Sequence, residues 1–103
     1  MTMSTSRLSY QKEYDLMDEA LKTDKGSRVH IGTRQAAMTY RLRLNRSRQL
    51  DRNFNAVAFP AGTKMHGASI YDEFVFTVRV DENEEWWVYL EKALAPQHVE
   101  AIE

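Results

Sequence analysis

The chain has 103 residues, of which 43% are hydrophobic and none is cysteine, and its formal net charge is −1. This length favours a single domain over residues 1–103 with one modest core, and we expect residues 1–6 to be disordered. The lack of cysteine excludes a disulfide scaffold and a thiolate metal site. The N-terminal segment has no apolar run of the length that a signal peptide or membrane span needs, so we expect a soluble, cytoplasmic protein without a membrane partner.

The first predicted element is an amphipathic helix over residues 9–22, whose apolar side chains recur at helical spacing: Tyr10, Tyr14, Met17 and Leu21. Gly26 marks the loop that follows this helix. A short strand is predicted over residues 28–31, with Val29 and Ile31 facing inward, and Gly32 ends it.

A second helix is predicted over residues 34–54, with Thr33 as its N-cap and no glycine or proline inside it. At about 100° per residue, one face is suited to a core and carries Ala37, Tyr40, Leu44 and Ser47, with Ala36, Leu50 and Phe54 beside them. The opposite face carries a basic stripe: Arg34, Met38, Arg41, Asn45, Arg48 and Arg52. Arg43 falls near the apolar border and Arg46 on the flank, and we expect both to snorkel or to pair internally.

The remaining pattern is an irregular segment over residues 55–69, a strand over 73–80, an acidic turn over 81–85 and a returning strand over 86–92. After Pro96 we expect a short helical turn or a frayed tail. The predicted fold is α+β, in the order α-β-α-β-β, with a three-stranded sheet and both helices on one face. The other face of the sheet would then carry a basic and aromatic set that either stacks on bases or closes a homodimer: Arg28, His30, Thr77, Arg79, Trp87 and Tyr89.

The strongest functional signal is the distribution of charge. Of the 14 basic and 15 acidic residues in the chain, seven arginines and a single acid fall in residues 28–52. Arginine binds phosphate and carboxylate bidentately, so this density indicates a surface for a polyanion. A helical row of arginines suits the phosphates of a nucleic acid, and Asn45 within the row is suited to an adenine edge. The alternative is a solvated helix face that the acids of the first helix balance: Glu13, Asp15, Asp18 and Glu19.

Three further groups of residues are candidate sites. Trp86 and Trp87 are consecutive in a strand and therefore face opposite ways, so one is core and the other, with Tyr89, is exposed or covered by a partner. The acidic run over residues 81–85 suits a divalent cation less well than a solvated hairpin turn, because it lacks the calcium-loop spacing. His66 lies close in sequence to Ser69, Tyr71 and Asp72, but neighbours in sequence do not make a catalytic relay. We therefore expect no enzyme activity, no metal and no cofactor.

The segment RQAAMTYRLRLNRSR over residues 34–48, followed by HGASIYD over residues 66–72, resembles a pattern in small accessory proteins of tailed bacteriophages. The resemblance covers about half of the chain. It implies an early-expressed binding protein that regulates DNA or blocks a host enzyme, and it assigns no functional residue.

The leading hypothesis is a non-enzymatic, DNA-binding or otherwise nucleic-acid-binding regulator encoded by a bacteriophage. Its contacts would come from the basic stripe: Arg34, Arg41, Asn45, Arg48 and Arg52. The alternative is an inhibitor in the host cytoplasm that blocks an acidic host protein such as a polymerase, nuclease or defence complex. Its partner-binding residues would be Arg46, Arg79, Trp87 and Tyr89.

Overall fold

The computed structural model describes residues 9–92, and its elements follow the predicted order. Helix α1 spans Gln11–Leu21, strand β1 spans Gly26–Gly32, and helix α2 spans Arg34–Ala58. A single 3-10 turn, Ile70–Glu73, leads into strand β2, Phe74–Val80, and strand β3 spans Trp86–Lys92. The predicted α+β fold is confirmed. The predictions for residues 1–6 and for the segment after Pro96 lie outside the described residues.

The three strands form one antiparallel sheet in the order β1-β3-β2. The last of the described strands therefore lies in the centre, where Val88 and Leu90 are fully buried. Trp87 is paired with His30 on one side and with Arg79 on the other, and Tyr89 likewise lies between Arg28 and Thr77. Because directly paired residues share a face of the sheet, this register confirms the predicted basic and aromatic set. We call it the open face: Arg28, His30, Thr77, Arg79, Trp87 and Tyr89.

Both helices pack on the opposite face of the sheet, where the core lies. Helix α1 buries residues at helical spacing, and α2 buries Ala37 and Leu44 against the inward side chains of β2 and β3. The hydroxyl of Tyr14 donates a 2.6 Å hydrogen bond to the carbonyl of Ser47, which ties the two helices together. The core residues are Tyr14, Met17, Ala20, Ala37, Leu44, Tyr71, Phe74, Phe76, Val88 and Leu90.

Helix α2 begins as predicted but ends at Ala58 rather than at Phe54. The hydroxyl of Thr33 accepts a hydrogen bond from the backbone of Ala36, so the predicted N-cap is confirmed. Asn55, expected to begin the loop, is instead buried in the helix, because its amide donates a 2.6 Å hydrogen bond to the carbonyl of Ala68. The placement of Ala36 and Phe54 beside the core face was wrong: Ala36 is exposed, and Phe54 is 50% exposed.

Candidate nucleic-acid interface and open sheet face

Arg48, predicted within the exposed basic stripe, is half-buried between α2 and β2. Its guanidinium donates hydrogen bonds to the carbonyls of Tyr71 at 3.0 Å and Phe74 at 2.8 Å, and it lies 4.4 Å from the centre of the Phe76 ring. Burial lowers the pKa of Arg48, and the charge of Arg52 adds to this effect. Arg48 therefore holds the start of β2 against the helix.

Arg52 and Asn45, two further members of the predicted stripe, also have internal partners. Arg52 forms an ion pair with Asp72 at 2.7 Å. The side-chain oxygen of Asn45 accepts a hydrogen bond from Arg48, and its amide donates to the carbonyl of Arg41 one turn earlier. These contacts bind α2 to itself and to the 3-10 turn, so an interface built on all five stripe residues would have to break them.

Arg43 pairs internally, as the sequence predicted. Its Nε donates a 2.8 Å hydrogen bond to the buried carboxylate of Glu13, and a second nitrogen donates to the carbonyl of Ser9. The guanidinium also lies over the ring of Tyr10, 4.5 Å from its centre. The hydrogen bond that Arg43 donates to Glu13 raises the pKa of Arg43. Of the α1 acids expected to balance the arginines, only Glu13 pairs with one of them among the described residues.

Three arginines of α2 have side chains without a hydrogen-bond or ion-pair partner among residues 9–92: Arg34, Arg41 and Arg46. Of the two alternatives expected for Arg46, internal pairing is wrong, because its exposed side chain has no such partner among the described residues. The exposed side of the helix around these arginines contains no acid. The one acid of α2, Asp51, faces the loop and accepts a hydrogen bond from Ser69. We call this exposed side the outer face of α2: Arg34, Gln35, Met38, Thr39, Leu42, Asn45, Arg46, Gln49 and Asn53.

The open face of the sheet combines stacked arginines and aromatic rings. The guanidinium of Arg28 lies 4.2 Å from the ring centre of Trp87 and donates a hydrogen bond to the hydroxyl of Tyr89. The guanidinium of Arg79 lies 4.4 Å from the ring centre of Tyr89 and pairs with Glu91 at 2.8 Å. Such stacks hold the rings in place while leaving Trp87 and Tyr89 partly exposed.

The acidic turn after β2 is organised by Asp81. One carboxylate oxygen accepts hydrogen bonds from the backbone of Asn83 and Glu85, and the other accepts one from the indole of Trp87 at 2.8 Å. These hydrogen bonds, first that of Trp87, hold the pKa of Asp81 below its ordinary value. No group of three or more histidine and acidic side chains within residues 9–92 is arranged to hold a metal ion.

The residues near His66 do not converge on one site. His66 contacts the carbonyl of Phe59 at 2.8 Å, Tyr71 donates to Asp18, and Asp72 pairs with Arg52 and with the backbone of Ser69. Each polar group is thus directed at a different structural partner. Residues 66–72 therefore connect the second half of α2 to the rest of the fold through hydrogen bonds.

Two groups at these surfaces were absent from the predicted site residues. Arg28 was placed on the open face, but its stack on Trp87 depends on a pairing between strands about sixty residues apart, which periodicity alone does not report. Gln35 and Gln49 carry no charge, so the distribution of arginines along the sequence does not identify them. The sequence does show that this side of the helix has no acid, and that pattern would have indicated Gln35 and Gln49 as part of the surface.

No helix in the described part of the chain combines the length and the apolarity required to cross a membrane. No family model, curated protein or solved structure matches this chain. The resemblance to bacteriophage accessory proteins therefore stays a prediction, and the functional argument rests on the geometry of the two surfaces.

Proposed function

We propose that this chain is a non-enzymatic nucleic-acid-binding protein that docks on duplex DNA through the outer face of α2. The observation that carries this proposal is an exposed helix face with two unpaired arginines, Arg34 and Arg46, several amide side chains and no acid, bordered by the unpaired Arg41. Arginine contacts phosphates and guanine edges, whereas glutamine and asparagine pair with adenine edges. The chemistry of the outer face therefore matches that of a major groove.

Helix α2 has dimensions suited to that role. Its 25 residues extend about 37 Å, close to the length of one turn of duplex DNA. The major groove of B-form DNA admits an α-helix, whereas the deep, narrow major groove of duplex RNA does not. The remaining acids of the chain favour one orientation of the protein on the DNA. The phosphates repel the acidic surface of α1, so this surface faces away from the duplex.

Replacing Arg34, Arg41 and Arg46 by alanine is expected to weaken binding and to lower the salt dependence of the affinity. Each lost phosphate contact removes about 0.9 from the slope of log K against log salt, so the triple variant should lose about 2.7. The measurement is fluorescence anisotropy with labelled duplex DNA, single-stranded DNA and RNA, in low and in physiological salt. We expect duplex DNA to bind best.

A matched control removes the same charge elsewhere: Lys12, Lys22 and Lys64, all exposed, replaced by alanine. This control should keep most of the affinity and of the slope. Equal losses in the two triple variants would mean that binding follows only net charge. An unchanged affinity in the arginine variant would remove the outer face as the site.

A second candidate function is docking to another protein through the open face, as an inhibitor of the kind described above would do. The stacked pairs of Arg28 with Trp87 and of Arg79 with Tyr89 favour it, because partly exposed tryptophan, tyrosine and arginine are the residues that dominate binding energy at protein interfaces. Neither helix covers this face, and the neighbouring Glu91 and Glu85 would repel phosphates.

The double replacement Arg28→Glu with Tyr89→Ala is expected to abolish capture of such a partner from nuclease-treated bacterial lysate. The arginine triple variant of α2 should retain the same partner, because its open face is intact. Thermal unfolding of both variants checks that they fold. If the wild-type protein captures only bands that disappear on nuclease treatment, this second candidate is wrong.

A further inference from the structure

The two edges of the sheet differ in their protection against further strand pairing. Strand β1 carries a register shift between His30 and Gly32 and has glycine at both ends. Strand β2 pairs with β3 in unbroken register over its whole length, and its sequence FVFTVRV contains no glycine or proline and one charge, Arg79. Bulges, prolines and charges are the usual means by which proteins block an exposed edge. The β2 edge has little of this protection.

The free backbone groups of β2 can be assigned from its contacts. The carbonyl of Phe74 accepts a hydrogen bond from Arg48, so it points away from β3. Alternate residues of a strand direct their N–H and C=O groups to the same side, so Phe76 and Val78 also point outward. Within the described chain, no segment beyond the sheet is hydrogen-bonded to the backbone of Phe76 or Val78.

The flank of α2 that carries Arg41 and Arg48 reaches this edge and supplies positive charge. The helix and β2 are antiparallel, because Arg52 and Asn55 contact residues before the strand while Arg48 contacts its first residue. Arg41 lies about 10 Å further along the helix than Arg48, which corresponds to about three strand residues and places it near the level of Val78. Arg34 follows Gly32 of β1 by two residues, so it lies near the opposite edge of the sheet.

We propose that the β2 edge accepts an extended, acidic segment of a partner protein as a fourth strand. The segment would pair with the outward backbone groups of Phe76 and Val78. Its carboxylates, at alternate positions, would lie on the helix side of the sheet, where the one nearest Val78 comes beneath Arg41. Backbone pairing supplies the affinity in this mode, and the alternating carboxylates supply the selectivity.

The charges argue against a second copy of this chain as the occupant. A symmetric antiparallel pair of β2 strands centred on Thr77 would bring the basic flanks of the two α2 helices together, Arg41 against Arg41. The same register would place Glu73 opposite Asp81 at both ends. Like charges directly opposite in a sheet are destabilising. A strand with a carboxylate on the helix side near Val78 meets the unpaired Arg41 instead.

The test measures how tightly the full chain binds labelled synthetic peptides in which glutamate and valine alternate. Binding is measured by fluorescence anisotropy of the labelled peptide. We expect the glutamate peptide to bind and a peptide with lysine at the same positions to bind at least about tenfold more weakly. Two further peptides carry N-methyl groups on alternate backbone amides, one on the glutamates and the other on the valines. Only one of these two peptides should lose binding, because only one side of a strand faces β2. Equal binding of the glutamate and lysine peptides, or of the two methylated peptides, would overturn the proposal.

Two protein variants separate this site from the DNA interface. Val78→Pro removes an N–H that points to solvent, a change that edge strands tolerate, and should weaken peptide binding about tenfold without affecting DNA. Arg46→Ala should weaken DNA binding but leave the peptide unaffected, because Arg46 lies away from the β2 edge. Sedimentation of the protein alone supplies the remaining outcome: self-association that Val78→Pro abolishes would identify a second copy as the occupant and overturn the proposal.

Discussion

Replacing Gly26 by alanine is expected to lower the free energy of unfolding by about 3 kcal/mol or more. Gly26 begins β1 with a φ of +103°, which side chains rarely adopt. A Cβ there would overlap the backbone carbonyl of Leu90 in the central strand. Relief requires β1 to move away from β3, because a backbone oxygen cannot rotate aside. Chemical denaturation monitored by tryptophan fluorescence measures the loss.

Gly62→Ala is the matched control for this clash. Gly62 also has a positive φ, +94°, but nothing lies within 4 Å of the added Cβ. This variant should lose only about 1 kcal/mol from backbone strain. The difference between the two variants then isolates the steric overlap with Leu90. Equal losses would show that β1 shifts freely on the sheet, contrary to the register described above.

Replacing Arg43 by alanine is expected to cost about 2–3 kcal/mol of folding free energy. The side chain of Glu13 is only 4% exposed and would be left as a buried carboxylate without its guanidinium partner, while Arg43 itself is 39% exposed. The partial exposure of Arg43 keeps the expected loss at the lower end for a broken buried pair. Denaturant unfolding at neutral pH measures it.

A second substitution tests whether the loss comes from the orphaned charge. Adding Glu13→Gln to the Arg43→Ala variant should restore about half of the lost stability, because a neutral amide is less costly to bury than a carboxylate. The additional change would lower stability further if Arg43 acted mainly through its packing on Tyr10. DNA binding of the double variant should equal that of the wild type, because Arg43 lies outside the outer face of α2.

The sequence predicted the fold well because its signals are local and periodic. The spacing of Tyr14 and Met17 defines α1, and the alternation in β2 and β3 defines which side chains meet across the sheet. The end of α2 was missed because Asn55 is unfavourable in a helix by itself and is stabilised there by the carbonyl of Ala68, a contact that propensity does not contain. Tertiary hydrogen bonds of this kind override the local signal.

The candidate site was less predictable, since identical residue types serve opposite purposes in one helix. Helical spacing places Arg41 and Arg48 on the same stripe. The first has no side-chain partner among the described residues, and the second binds two backbone carbonyls. The difference arises from the 3-10 turn, whose carbonyls reach one end of the stripe only. Charge patterning found the arginines but could not separate those that stabilise the fold from those available to a ligand.

The position of β3 also bears on how this protein is made. The central strand is the last of the three described strands along the chain, and it supplies the fully buried Val88 and Leu90. During translation, β1 and β2 leave the ribosome before the strand that joins them, so neither can enter the sheet until β3 has been synthesised. The helices can form earlier because their hydrogen bonds are local. Sheet formation is therefore a late event. The nascent chain exposes the apolar side chains of β2 until β3 pairs with it and the sheet packs against the helices.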